Sequence, residues 1–226
     1  MQPPTNRIMP PLTADDFRRR ARARLTLQPS QIELRAPNAA PAPSPSDFDL
    51  NPGLEHEIDL PNPARPAAVL VPVVARDPLT VLFTLRTAHL PSHAGQVSFP
   101  GGKIDAGDEN AIATALREAE EEIELARHLV EPIGFLDTYR TSTGYSVAPL
   151  VGLIAADHKA RANPDEVADI FEVPLSFLMD RNNIALNARM WLGRERQFYA
   201  YTYQTRYIWG ATAGILNNMH HRLFGE

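Results

Sequence analysis

FPGGKIDAGDENAIATALREAEEEIEL, residues Phe99 to Leu125, is a Gly-rich turn feeding a helix with carboxylates along one side. Ile112, Leu116, Ala119 and Ile123 share one helical stripe, the face such a helix buries against a sheet. Glu118, Glu121 and Glu122 share another, because residues three and four apart are neighbours on a helix surface. Like charges so spaced repel, by about 0.2–0.5 kcal/mol per pair, unless a cation lies among them. A hard divalent ion suits that place: Mg2+ takes oxygen ligands and is usually held by a few carboxylates together with substrate phosphates. An acidic run by itself reads first as a solvated helix face. The segment before the helix decides between the two.

Gly101-Gly102, a short acidic turn, and then Arg-Glu-Ala-Glu-Glu-Glu on a helix resemble the Nudix box, G-x5-E-x7-R-E-U-x-E-E-x-G-U with U aliphatic. Gly102, Arg117, Glu118, Ala119, Glu121, Glu122 and Leu125 match it in place. Two positions depart. The first acid is Asp108, five residues beyond Gly102 as required, but eight rather than seven residues separate it from Arg117. The late glycine is replaced by Glu124, so the helix either runs on past Leu125 or ends in a less comfortable cap. Upstream, LFTLRTAHLPSHAGQVSFPGG, Leu82 to Gly102, resembles the signature of the coenzyme A pyrophosphatase branch of the Nudix hydrolases, LLTxRSx3Rx3Gx3FPGG. Leu82, Thr84, Arg86, Gly95, Phe99, Pro100, Gly101 and Gly102 match in register. Pro91 stands where that signature has a second arginine. IWGATAGIL, Ile208 to Leu216, resembles the C-terminal segment of the same branch.

The resemblance implies a Nudix-like α/β/α sandwich around a mixed β-sheet. It implies hydrolysis of the pyrophosphate bond of coenzyme A and its derivatives to 4'-phosphopantetheine and adenosine 3',5'-bisphosphate, with Mg2+ or Mn2+ as cofactor. Glu118, Glu121 and Glu122 are then the metal ligands, with the Gly102 carbonyl as a further one. Arg117 pairs with Asp108 and braces the loop against the helix, a supporting role of the kind that orients ligands. For the proton, Glu121 is the leading catalytic candidate within the box, and Glu166 in NPDEVADIFEVPL the leading one outside it. Arg86, then Lys103 and Arg140, are expected on the substrate phosphates, an arginine fork suiting phosphate oxygens best. Two rivals remain: a Nudix pyrophosphatase for ADP-ribose or another nucleoside diphosphate derivative, and a catalytically silent Nudix-like ligand-binding module. The intact set of three glutamates weighs against the silent module.

Working outward, residues 1–66 contain 13 of the 21 prolines, which excludes continuous helix or sheet there. They are expected to be an N-terminal extension, followed by a Nudix domain over 67–226. Within the extension, Thr13 to Leu25 has an N-cap threonine, early acids and later arginines, and predicts a short helix. Its arginines read as a solvated or self-docking face in preference to a nucleic-acid arm. Apolar runs at Ala68 to Val74 and Leu79 to Leu85 predict two buried strands joined by a tight turn. Gln96 to Phe99, Val130 to Thr138, Ser146 to Ala155 and Arg196 to Ile208 predict further strands; Pro174 to Met179 and Ala211 to Leu223 predict helices. The net charge of -5 argues against a nucleic-acid-coating surface. Without an apolar run near 18 residues or a basic-then-apolar N-terminus, the chain is expected to be cytoplasmic with no membrane partner. Zero cysteines exclude disulfides and thiolate metal sites. The expected partner is a small-molecule substrate; the Pro-rich arm is long enough to wrap a second subunit in a homodimer.

Overall fold

The computed structural model describes residues 12–30, 45–90, 93–191 and 193–225. Pro91, the departure noted above, lies outside them, as do residues 31–44 of the Pro-rich arm. Eleven strands and four helices are present among the described residues: β1 (Arg65–Val74), β2 (Thr80–Arg86), β3 (Val97–Ser98), β4 (Gly101–Lys103), β5 (Val130–Phe135), β6 (Tyr139–Arg140), β7 (Tyr145–Ile154), β8 (Val167–Pro174), β9 (Ile184–Trp191), β10 (Arg194–Tyr203) and β11 (Arg206–Trp209), with α1 (Ala14–Arg22), α2 (Ala111–Ile123), α3 (Leu175–Leu178) and α4 (Ala211–Leu223).

A mixed sheet is organised on β1. This strand runs parallel to β7 from Arg65↔Tyr145 to Val74↔Ile154, and β5 completes that side. Its alternate residues bury on both faces, which is why it reads as an unbroken apolar run. Ala68, Leu70 and Val74 face the cluster under α2, and Ala67, Val71 and Val73 face the other side. On its other edge β1 meets β2 only through Val73↔Val81 and Val74↔Thr80. Beyond that hairpin the two strands part, and residues 97–103 fill the gap. β3 pairs with β2 through Thr84↔Ser98, and β4 pairs with β1 through Ala68↔Gly102 and Val69↔Gly101. The Gly-Gly turn is therefore built into the sheet.

Helix α2 covers one face with Ala115, Ala119 and Ile123 on Leu70, Leu82 and Leu150. On the other face α1, α4 and a second, antiparallel sheet of order β11-β10-β9 pack through Phe17, Leu216, Tyr201 and Ile208 onto Val71 and Phe83. This is an α/β sandwich with a mixed sheet in its middle. No helix of the described residues is long and apolar enough to cross a membrane.

Thr13 caps α1 by accepting from the Asp16 N–H at 3.1 Å, and Phe17 and Ala21 are fully buried. Arg18 and Arg22 bind Glu131, and Arg24 donates to the Leu223 carbonyl at 2.9 Å while Arg222 returns a bond to the Arg24 carbonyl at 2.9 Å. Cations at the carbonyl end of a helix satisfy both its free acceptors and its dipole. The arginine run thus clamps α1 onto the end of α4, and the extension contributes to the core of the domain.

Four strands depart from the sequence pattern. The aromatic stretch Arg196 to Ile208, expected as one strand, is a hairpin of β10 and β11 that turns at Gln204, whose φ is 53°. β8 and β9 carry no clean alternation and were not expected as strands; β8 adds to β2, and β9 edges the second sheet. Helix α2 stops at Ile123 and does not run past Leu125, because Glu124 takes a left-handed conformation (φ 52°, ψ 27°). A side chain there is strained where glycine is not. Glu124→Gly should therefore stabilise the fold by about 0.5–1 kcal/mol. A denaturation midpoint that fails to rise would show that another contact offsets the strain.

Candidate active site

The site is assembled where α2 lies over the parting of β1 and β2. Ala111, Ala115 and Ala119 are the residues α2 presses against the sheet, while Ile112 and Leu116 are only partly buried at the rim. Ala119 and Ile123 of the expected stripe are buried, but Ala111 and Ala115 replace Ile112 and Leu116, a rotation made possible by small side chains that let the helix approach closely. Its consequence is chemical: Glu122 moves to the buried face, 2% exposed, whereas the Glu121 side chain stays 53% exposed.

Gly102 fits against Glu118 so closely that a Cβ there would collide with the Glu118 carboxylate, and a Cβ at Gly101 would collide with the β1 backbone at Ala68 and Val69. The backbone contact dictates glycine at 101, whereas at 102 a side chain would push the Glu118 carboxylate out of its place. Arg117 is the hub of the turn. Its Nε and Nη2 each donate to a different oxygen of Asp108 at 2.9 Å, and its Nη1 donates to Glu118 and Glu121 at 3.0 Å. Asp108 also accepts from Thr114 Oγ1 and the Asp105 N–H, and the Arg117 bonds hold its carboxyl well below the usual carboxylate range. The repulsion among the box acids is thus relieved in part by Arg117 itself, a cation the charge-spacing argument had not placed among them.

Glu122 lies outside that relief. Its Oε1 is 3.8 Å from Arg86 Nη1, an ion-pair distance without a hydrogen bond, and its Oε2 has no partner. Burial pushes its pKa up to about 8 against the counteracting charge of Arg86, with Glu118 and Glu166 adding to the rise. Burial also raises Glu118, opposed by Arg117. Glu166 therefore belongs to the same electrostatic cluster. It is brought there by the segment that crosses the end of α2, where the Arg161 N–H bonds to the Ile123 carbonyl and the Asn163 N–H to the Glu122 carbonyl, both at 2.9 Å. Asn163 was not singled out in the sequence, although Asn-Pro followed by an acid is a turn signal, and its Oδ1 does accept from the Asp165 N–H.

Of the three cations expected on substrate, Arg86 alone touches the acids among the described residues. Its Nε is buried and unpartnered. Lys103 follows Gly102 on β4, so strand alternation sends its side chain to the sheet face opposite Glu118. Arg140 is held on residues 45–48, bonded to Pro45 and Asp47 backbone groups at 3.0 Å with its guanidinium 5.8 Å from the Phe48 ring centre.

Among the described residues no three acidic or histidine side chains already converge at metal-ligand spacing. The donor set nevertheless suits a hard divalent cation: every group is an oxygen, and Glu122 Oε2 is a buried acceptor in need of a partner.

A sequence profile of the NUDIX domain matches residues 64–196. The uncharacterized Nudix hydrolase NudL of Photorhabdus laumondii is 44% identical over 155 residues, which cover 69% of this chain and 83% of that protein. Its counterpart in Yersinia pestis, also an uncharacterized Nudix hydrolase, is 41% identical over 155 residues, 69% of this chain and 78% of that one. Among solved structures, a MutT/nudix family protein from Enterococcus faecalis aligns with 74% of this chain and 64% of its own at 15% identity, with a TM-score of 0.43.

Proposed function

Since this chain belongs to the Nudix hydrolase family, we propose that it cleaves the pyrophosphate of coenzyme A, releasing 4'-phosphopantetheine and adenosine 3',5'-bisphosphate. The observation that carries the reading is the meeting of Arg86 with Glu122, 3.8 Å apart, because it joins the substrate motif upstream to the acids of the box. Glu118, Glu121, Glu122 and the Gly102 carbonyl are the groups that would hold Mg2+ or Mn2+. A bound divalent ion supplies an acidified water and neutralises charge on the phosphate oxygens.

The protein's own residues do the rest. Arg86 offers a guanidinium, its Nε buried and unpartnered, for a charged hydrogen bond to a phosphate oxygen. Arg117 hydrogen-bonds Glu118 and Glu121 and fixes the Asp108 turn, so the Gly102 backbone stays where a diphosphate would pass. Glu121, exposed and free to move once released from Arg117, and Glu166, across the cluster, are the two groups placed to take a proton from water. Lys103 and Arg140, directed elsewhere, are left out of the phosphate contacts.

Incubation with Mg2+ or Mn2+ and a mixture of coenzyme A, ADP-ribose and dinucleoside polyphosphates, with products identified by mass, tests the substrate. Coenzyme A should be consumed first and split into the two products named above. Turnover of ADP-ribose with coenzyme A untouched would overturn the assignment and leave the Nudix hydrolase reading in place.

A further inference from the structure

A cavity of about 310 Å³ opens between residues 50–58 and the end of the β9–β10 hairpin, and a recess of about 90 Å³ adjoins it. Arg196 lines both spaces, Arg189 lines the recess, and neither space is lined by any of the carboxylate-site residues. Arg189 and Arg196 are directly opposite partners in the β9–β10 ladder, an arrangement that like charges disfavour. Arg194 nearby is paired with Glu57, and Arg206 with Asp169, but among the described residues neither Arg189 nor Arg196 reaches a carboxylate or a hydrogen-bond acceptor. Of the acids lining these spaces, Asp47 is already occupied by the Tyr139 hydroxyl at 2.8 Å and by the Ser142 N–H and Oγ at 2.7 and 2.9 Å, while Glu57 and Glu195 line the larger cavity. Burial, with the charge of Arg189 added, lowers the pKa of Arg196 against the opposing charges of Asp47 and Glu57.

What the two guanidiniums do contact is aromatic. The Arg196 guanidinium carbon is 3.0 Å from the Trp191 ring centre and that of Arg189 is 4.6 Å from the Trp209 ring centre. These cation–π contacts hold the guanidiniums over the rings, and among the described residues their N–H groups are not bonded to an acceptor. Two such groups side by side match the oxygens of one dianionic group, and a phosphomonoester between them would turn the cross-strand repulsion into attraction. The larger cavity, walled by Trp191, Leu50, Pro52 and Leu54, begins at the same arginine and is of a size that accepts a small organic molecule. We propose that this is a second binding site, for a nucleoside monophosphate, with the phosphate between Arg189 and Arg196 and the nucleoside in the cavity against Trp191. The site does not depend on which diphosphate the acidic cluster hydrolyses.

The chain has two tryptophans, Trp191 and Trp209, and both are in this wall, so intrinsic fluorescence reports on it directly. The full-length protein is titrated with adenosine 5'-monophosphate in the presence of a chelator, and heats of binding are measured in parallel. A saturable change is expected with the nucleotide, weaker by roughly tenfold or more with adenosine or inorganic phosphate alone, the scale of a lost charged hydrogen bond. Arg189→Ala, at an exposed position, should weaken nucleotide binding by a similar factor with an unchanged circular dichroism spectrum; Glu122→Gln should bind as the unaltered protein does. Absence of saturation at millimolar nucleotide would overturn the proposal, leaving the arginines as packing for the sheet. So would equal affinity in Arg189→Ala, or loss of binding in Glu122→Gln, which would assign the nucleotide to the acidic cluster.

Discussion

Glu122→Gln should reduce metal-dependent turnover by at least about two orders of magnitude and, in the same protein, raise the stability of the metal-free fold at alkaline pH. The second effect follows from the burial that moves this carboxyl from 4.5 to about 8. Between those values the folded chain binds a proton that the unfolded chain has released. Stability linked to Glu122 is therefore fully present below about pH 4.5 and is lost as pH rises through about 8. Glutamine has no such proton to lose. The variant's advantage in thermal unfolding with chelator present should grow across that window, to roughly 2–4 kcal/mol. A constant difference across the range would mean that Glu122 is not the buried acid described, and near-normal turnover would remove it from the reaction.

Arg86→Ala should lower kcat/KM for coenzyme A by roughly 10- to 100-fold, the equivalent of a charged hydrogen bond of about 1.5–3 kcal/mol. Mn2+ affinity, followed by electron paramagnetic resonance, should change far less. The split arises because Arg86 approaches Glu122 from β2 without bonding to it, at 3.8 Å, and keeps Nε free. Arg86→Lys should recover only part of the loss, because an ammonium cannot present a planar fork. If the kinetics of both variants match the parent, the upstream motif is scaffold and the phosphates are bound elsewhere.

Spacing along the chain made some of this legible and left some of it hidden, for identifiable reasons. The acids, the arginine between them and the Gly-Gly turn are close in sequence, so local geometry is enough to connect them. The orientation of α2 was not accessible in that way. Of the stripe Ile112, Leu116, Ala119 and Ile123, the last two are buried as expected, but the fit of a helix against a sheet rewards small residues, and Ala111 and Ala115 take the places of Ile112 and Leu116. That rotation, and with it the burial of Glu122, depends on a surface supplied by β1 and β4. Glu166 could be suspected but not located, because its position is set by backbone bonds from Arg161 and Asn163 to the end of α2. Arg140 shows the opposite limit: read as a loop cation, it is on β6, exposed, with its backbone bonded to Pro45 and Asp47 and its guanidinium beside Phe48.

The clamp between α1 and α4 ties the order of folding to the direction of synthesis. Phe17 leaves the ribosome among the first residues of the described chain, whereas the Leu223 carbonyl that accepts from Arg24 leaves among the last. The apolar side of the first helix must therefore wait for β5, against which it packs, and its clamp to α4 forms only once that later helix has emerged. Its docking is a contact of long sequence separation and belongs to the end of folding, which makes the nascent chain at that stage the form most in need of protection from aggregation.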